Sequence, residues 1–525
     1  MEEVQQDGRL ESKTLSLLVV AVLACGVFLI EYFFGHKHHA QEPPRVPSAV
    51  PIPYLGHMIG LMRYKMGYYV KLSAKYPLPA YTVTTFGGKV YVVNSPELAV
   101  AVFRSVKALS FANIAATVVS RISLSSKEGT EIMLKNATGE EGDKGYTVEG
   151  FKRIHAALGP GPGLEQMTTL AAQHVAVNMG KLKPEKESTI TRIMLYEWIQ
   201  HLIAVATSDA VYGPMNPFQN PEVESAFWDF ERNFTTLLVN IMPALTARRG
   251  HIGRERVNQA FEKYFRQEGH KSGSALVKAR YEVADEYDVS LPDMARFETT
   301  MAIGILGTTS PAAFWMVFHI FSNPAVLEDL RTELGTALTT TFDKDGAPVR
   351  QLDITRIKGS PLLTSTWHEV LRHSACGTSA RLVQQDCLID NRFLLKKGNV
   401  VQMPSRVSHI NPSLWGTTVD AFDSRRFLKQ ESRKPGEQKL QSGAFRPFGG
   451  GNTLCPGRHL AATEILAMVA MLALRFDLTP ASGYWVKPTP YASSVAAAIY
   501  SPNPDIAVNV KPRKGYEGGL WTFNS

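Results

Sequence analysis

The sequence predicts a predominantly α fold carrying small β-sheets, and three observations lead there. From about residue 160 to 340 the apolar residues recur at helical spacing with no long alternating run between them. β-rich runs are confined to Tyr81–Phe86, Val90–Val93, Arg381–Phe393 and Val400–Met403. A chain of 525 residues is also long enough to bury a core that hides a cofactor.

The first element is an apolar run, Leu15 to Phe34, interrupted by Ser16, Gly26 and Glu31. Its length approaches the roughly 20 residues that span a bilayer. His36, Lys37, His38 and His39 follow it in place of a small-residue cleavage site, so it reads as an anchor over a cleaved signal. The histidines read as an interfacial anchor. Acids dilute Arg9 and Lys13 before the span, whereas Lys37, Arg45, Arg63 and Lys65 follow it, which puts the body in the cytosol. Pro43, Pro44, Pro47, Pro51 and Pro53 then forbid a helix and favour a stiff connector. The expected organisation is a luminal tail at 1–14, an anchor at 15–35, a basic, proline-rich linker at 36–55 and a catalytic body at 56–525.

Within the body, Gly87 and Gly88 join two β-rich runs as a hairpin, because both tolerate positive φ. Ser95 and Pro96 open a helix as cap and first-turn residue. Residues 105–150, with Gly129, Gly139, Gly142 and Gly145, read as a long loop with short helices. Turns at Asp390, Asn391 and Gly398 punctuate the second β region, and the last long helix is expected just after Cys455, running through Ala473.

Composition excludes several classes. Apolar, aromatic and charged fractions are near globular averages, and the formal charge of +8 is spread among acids, which argues against nucleic acid as a partner. Four cysteines without a CxxC spacing point to a reducing compartment.

The most informative stretch is Phe448, Gly449, Gly450, Gly451, Asn452, Thr453, Leu454, Cys455, Pro456, Gly457, Arg458. Three glycines let backbone lie close against a flat partner. Cys455 falls where a helix starts, with Pro456 suited to its first position, so unpaired N–H groups and the helix dipole favour a thiolate. Proline donates nothing, which leaves Gly457 as the N–H donor to the sulfur. A buried small hydrophobe beside a turn is the bland alternative.

Phe448, Gly451, Cys455 and Gly457 match the spacing of a known cysteine loop, and the chain resembles the cytochrome P450 family, of the membrane-anchored microsomal type. The resemblance implies a haem b held through Cys455 as axial ligand, with Phe448, Gly451 and Gly457 shaping its bed. It implies that Glu369 and Arg372, three apart on a helix, pair with Arg426 and lock the core. Phe422, Arg426 and Phe427 carry that last match, although Ser424 stands where proline is usual and Arg425 where glutamate is common. Arg381 resembles the family's propionate arginine. Thr453 occupies a position where the family often has arginine or histidine, so another cation is needed, with His155 and Arg446 as candidates.

Met301–Phe321 is nearly continuous in apolar residues yet contains Gly304, Gly307, Thr308, Thr309, Ser310 and Pro311. Pro311 lacks the N–H that would bond the Gly307 carbonyl, and its ring crowds that carbonyl, so a local opening is expected. Hydroxyls beside it can bind dioxygen or water and pass protons; alternatively they bond back to their own helix. The resemblance implies an acid followed by threonine here, whereas this chain has Thr308 and then Thr309; Thr309 takes the oxygen-activating role, and the proton relay loses its acid. The Ser310–Trp315 run resembles the sterol 7α-hydroxylase and prostacyclin synthase branch, which contains hydroxylases and an isomerase.

The implied activity is insertion of one oxygen atom of O2 into a lipophilic substrate, a terpenoid, steroid or other lipid, at the endoplasmic reticulum membrane. No GxGxxG or flavin signal is present, so the resemblance implies electrons from a separate NADPH–cytochrome P450 reductase, with cytochrome b5 as a further donor. Lys396, Lys397, Arg425, Lys429, Arg433, Lys434 and Lys439 offer either a docking face or a solvated loop. Substrate contacts are expected from 105–150, 210–245, the kinked helix and Ala492–Tyr500. Two other readings stay open: a haem-thiolate isomerase or dehydratase acting without a reductase, and a non-catalytic haem- or lipid-binding protein.

Overall fold

A computed structural model describes residues 26, 38–50, 52, 54–85, 88–139, 141–142, 144–182, 190–428, 441–492 and 497–524. The expected anchor, apart from Gly26, lies outside these residues, as do Phe86, Gly87, Lys429, Arg433, Lys434 and Lys439. Contacts divide the chain into two compact units. One comprises the residues up to Leu109 with Ala380–Pro404, the other Ser110–Ser379 with Ser405–Ser525.

The smaller unit is built on a hairpin in which Ala80–Thr85 and Gly88–Val93 pair antiparallel, Ala80 opposite Val93 and Thr85 opposite Gly88. Gly88 takes φ 121°, a conformation closed to most side chains. Val400–Pro404 adds a parallel strand, Val400 opposite Val90. Helix α1, Pro96–Arg104, begins with Ser95 Oγ accepting the Leu98 N–H, as its cap and proline predict. A second hairpin, Cys387–Ile389 with Phe393–Leu395, turns through Asp390 and Asn391, both at φ 53°.

Within the linker expected at 36–55, the described residues Pro44–Val46 are laid along the sheet: Thr82 N–H donates to Pro44 O at 2.8 Å and Val46 N–H to Thr82 O at 3.2 Å. Glu42 is buried there and accepts from Lys89 Nζ and Tyr91 Oη, each at 2.7 Å. The pairing partners lie about 40 residues away, beyond the reach of local pattern reading.

In the larger unit residues 105–150 are more helical than expected. Ala112–Ser123, Lys127–Leu134 and helix α2, Tyr146–Ala157, form there. Ser126 caps the second of them, and Asp293 accepts its N–H and its hydroxyl at 2.9 and 2.6 Å. This long-range bond organises a segment whose glycines alone suggest a loop. Helix α3, Leu195–Tyr212, follows, then helix α4, Leu291–Leu306, and helix α5, Thr309–Phe321. Every residue of α5 is buried, and the core around it is completed by α3, helix α6 (Pro361–Ser374) and helix α7 (Arg458–Arg475). Leu291–Phe321 is long and apolar enough to cross a membrane by length and composition, yet 67% of its apolar window is buried within the protein; it is a core element. Two three-stranded sheets flank the helices. Ala507–Pro512 pairs with Phe476–Pro480 and Thr191–Met194, and Pro348–Asp353 with Leu338–Phe342 and Leu520–Asn524.

Candidate active site

The cysteine loop closes on itself. Cys455 N–H donates to Phe448 O at 3.0 Å, and the ring of Phe448 packs against the main core beside Trp367. Gly449 and Gly451 sit at φ 77° and 64°, where a Cβ is strained. Gly450 between them is extended.

Helix α7 begins later than expected. Gly457 is its cap, so Pro456 occupies the preceding turn and not the first helical position. The proline ring fixes φ equally well in a turn, and the shift leaves Cys455 two residues ahead of the cap. Its Sγ carries no disulfide. Burial pushes the thiol up, while the N–H of Gly457, the charge of Arg458 and the N–H of Arg458 pull the other way. The Arg458 guanidinium itself donates to Cys455 O at 2.9 Å.

His155, on α2, reaches the same loop: Nε2 faces Leu454 O at 3.3 Å while Nδ1 faces Phe151 O at 2.8 Å. Its ring thus steadies the backbone next to the cysteine. Arg446 is different in kind. It is 5% exposed, Nη2 donates to Ser408 Oγ at 2.9 Å and its N–H to His409 Nε2 at 3.0 Å, but its Nε has no partner. No carboxylate among the described residues pairs with it, and burial pulls its pKa down to about 10. A buried cation with an orphaned donor calls for an anion. Arg381 belongs to the smaller unit. It is buried over the Phe103 ring at 5.3 Å, with its pKa also drawn down to about 10 by burial.

The central helix opens one turn before Pro311. α4 ends at Gly307, Thr308 is an irregular residue with φ −113°, and Pro311 is third in α5, where its missing N–H costs no helical bond. Thr309 Oγ1 donates to Ile305 O at 3.3 Å, a long bond. Ser310 is fully buried and its hydroxyl has no partner.

Glu369, Arg372 and Arg426 come together. Arg372 chelates both oxygens of Glu369, Arg426 Nε lies 3.1 Å from each of them, and Asp423 N–H adds a further bond at 3.1 Å. Ser424 and Arg425 do not disturb this: Arg425 turns outward and pairs with Asp329. Lys396 pairs likewise with Asp386, so two cations of the expected docking face are already matched. The segment before Tyr500 lies against the end of α6, with Cys376 and Gly377 N–H both donating to Ala498 O.

Sequence reading missed Glu464, fully buried on α7 and bonded to Thr207 Oγ1 on α3. Its signal was available: an acid within the apolar run Leu460–Leu474.

These elements match known proteins. The cytochrome P450 family model matches residues 182–506. The chain belongs to the cytochrome P450 family and is a monooxygenase, an oxidoreductase whose prosthetic group is haem. It is 34% identical to the cytochrome P450 monooxygenase nodJ of Hypoxylon pulicicidum, over 96% of this chain and 97% of that one. Cytochrome P450 7B1 of Mus musculus is 24% identical over 88% and 89% of the two chains. The retinoic acid bound cyanobacterial CYP120A1 shares the fold, with a TM-score of 0.66 at 18% identity over 90% of this chain and all of that one.

Proposed function

We propose that the protein is a haem-thiolate monooxygenase in which Cys455 is the axial ligand, Thr309 and Thr308 line the oxygen side, and the substrate is a lipophilic terpenoid, steroid or related lipid. The observation that carries this is the cysteine loop: an unbridged thiol met by the Gly457 and Arg458 N–H groups, behind Gly449 and Gly451 in a positive-φ conformation that strains other residues. The residues present fit a haem. Arg446 offers an orphaned, buried Nε to a propionate, Arg381 is a second buried cation, and His155 holds the loop backbone. When bound, the haem supplies the activation of dioxygen and its insertion into an unactivated bond.

The chain's own groups do the rest. The N–H donors on sulfur temper its electron donation. Thr309 gives up a weak helical bond to Ile305 O when water or oxygen arrives. Glu369, Arg372 and Arg426 hold α6 rigid. The apolar N-terminal run and the likeness to the cholesterol 7-alpha-monooxygenase of Cricetulus griseus, 24% identical over 55% of this chain, support a lipid substrate at the endoplasmic reticulum membrane, with electrons from an NADPH-dependent reductase and cytochrome b5.

A reduced carbon monoxide difference spectrum tests the reading. The wild type should show the red-shifted Soret band of thiolate ligation and Cys455→Ala should lose it. A protein without porphyrin, or a band unchanged in the variant, would overturn it.

A further inference from the structure

Tryptophan and tyrosine are the side chains that most readily give up one electron, and the larger unit places them in sequence from its central helix to its surface. Trp315 stands six residues after Thr309 on α5, about 9 Å along the helix axis, and is 1% exposed. Its indole meets the Phe318 ring edge-on with centroids 5.8 Å apart, and Trp485 meets the same ring edge-on at 5.8 Å. The chain neighbour of Trp485, Tyr484, is 67% exposed. The route runs from the buried core to a phenol in water.

What surrounds each ring decides which way a positive hole moves. Loss of an electron turns an indole or a phenol into a strong acid, and the hole settles where that proton can leave. Trp315 Nε1 donates to Tyr500 O at 2.6 Å; a backbone carbonyl is no base, so the indole keeps its proton and its hole stays mobile. Tyr196, reached from Trp315 through Phe314, is partly buried with its Oη 3.2 Å from Ser501 Oγ, again no base. Tyr500 has the Arg406 guanidinium 5.9 Å from its ring centroid, a charge that opposes a second positive one. Trp367, beside the cysteine loop, has Phe448 as its one aromatic contact among the described residues and leads to no second indole or phenol. Tyr484 is the phenol in this group that hands its proton directly to water.

We propose that Trp315, Trp485 and Tyr484 form a discharge route that drains oxidising power left at the haem when no substrate is bound; this rests on the oxygen-side role proposed for Thr309. Trp315 yields one electron toward the haem and regains it from Trp485, Trp485 regains it from Tyr484, and the Tyr484 proton passes to water. A small thiol restores the phenol with one electron and one proton. Two such passages, with two protons from solvent, convert to water the oxygen atom that would otherwise have entered the substrate, and two thiols end as one disulfide. The groups around the haem are thereby spared oxidation.

The test uses holoenzyme with reductase, NADPH, oxygen and a nitrone spin trap, without substrate or thiol, and maps the trapped radicals by peptide mass spectrometry in wild type, Trp315→Phe, Trp485→Phe, Tyr484→Phe and Thr309→Ala. Phenylalanine keeps an aromatic ring at each place, so a purely structural role predicts an unchanged map. We expect wild type to carry the trap on Tyr484, Trp315→Phe and Trp485→Phe to lose that label, and Tyr484→Phe to leave it on Trp485, with haem bleaching faster in all three than in wild type. Trp485 is only partly buried, so Trp485→Phe decides the matter if the core variant does not fold. An unlabelled wild type, labelling that persists in haem-free protein, or wild-type labelling of Tyr484 in Trp485→Phe overturns the proposal. A wild-type ratio of water to peroxide in Thr309→Ala shows instead that the oxygen-side reading has failed, and the proposal falls with it.

Discussion

Arg372 grips Glu369 with two N–H donors, Nε to Oε2 at 2.8 Å and Nη2 to Oε1 at 2.7 Å, and neither side chain has any exposed surface. Nη1 reaches His409 O at 2.9 Å and Nη2 also reaches Ala421 O at 3.4 Å, so the guanidinium is held on both sides. Removing one partner leaves a buried, uncompensated charge. Arg372→Ala and Glu369→Ala should therefore each cost about 3–5 kcal/mol in denaturant unfolding. Arg426→Ala should cost less, about 1–3 kcal/mol, because its guanidinium is partly exposed and Arg372 still neutralises Glu369.

Arg446 shows the opposite economy: a buried guanidinium that the protein leaves incomplete. The guanidinium donates through Nη2 to the Ser408 hydroxyl, and its Nε is orphaned. If a haem propionate completes it, Arg446→Gln should release haem about tenfold faster, the worth of one charge-assisted bond. The haem-free variant should be at least as stable as haem-free wild type, since an unpaired buried cation has gone. Transfer of haem to an apo-acceptor and thermal unfolding of the apoprotein check the two halves. A haem off-rate equal to wild type would remove Arg446 from the site.

The loop glycines are not equivalent. Gly449 stands at φ 77°, and a Cβ there would meet Ser379 Oγ at 3.2 Å. Gly457 stands at φ −75°, and a Cβ there would find Cys455 Sγ at 4.0 Å, an ordinary contact. Gly449→Ala should thus cost about 1–2 kcal/mol and lower haem occupancy. Gly457→Ala should fold normally and, if the Cys455 sulfur ligates the haem, alter only the haem absorption. Equal stabilities of the two variants would contradict this.

What local sequence could reveal was the chemistry that depends on near neighbours. The Phe448-to-Gly457 spacing, the Glu369–Arg372 helical step and the Ser95–Pro96 start each lie within a few residues. The opening of the central helix was legible from Pro311, though the break falls at Gly307–Thr308 because a proline is tolerated in the first turn of the following helix. Distant pairings were not legible. Glu42 with Lys89 turns an apparent linker into part of a sheet, Asp293 with Ser126 organises an apparent loop, and Glu464 with Thr207 spans 257 positions. Such contacts follow from burial, and burial is a property of the whole fold.

The same burial makes stability depend on pH through Glu464. In the unfolded chain its carboxyl titrates near 4.3, whereas in the folded protein burial raises it to about 8. Between these values the folded state holds a proton that the unfolded state has lost, so stability falls as pH rises, by up to about 1.4 kcal/mol per pH unit. Below the lower value both states are protonated and above the upper one both are ionised, so the dependence flattens at each end. Glu464→Gln removes the linkage while keeping the bonds to Thr207. Measured across this range, the variant should gain stability over wild type as pH rises toward 8 and hold that gain above it. A difference that stays constant with pH would mean that the buried acid is already ionised in the native protein, and that its charge is compensated by a group outside the described residues.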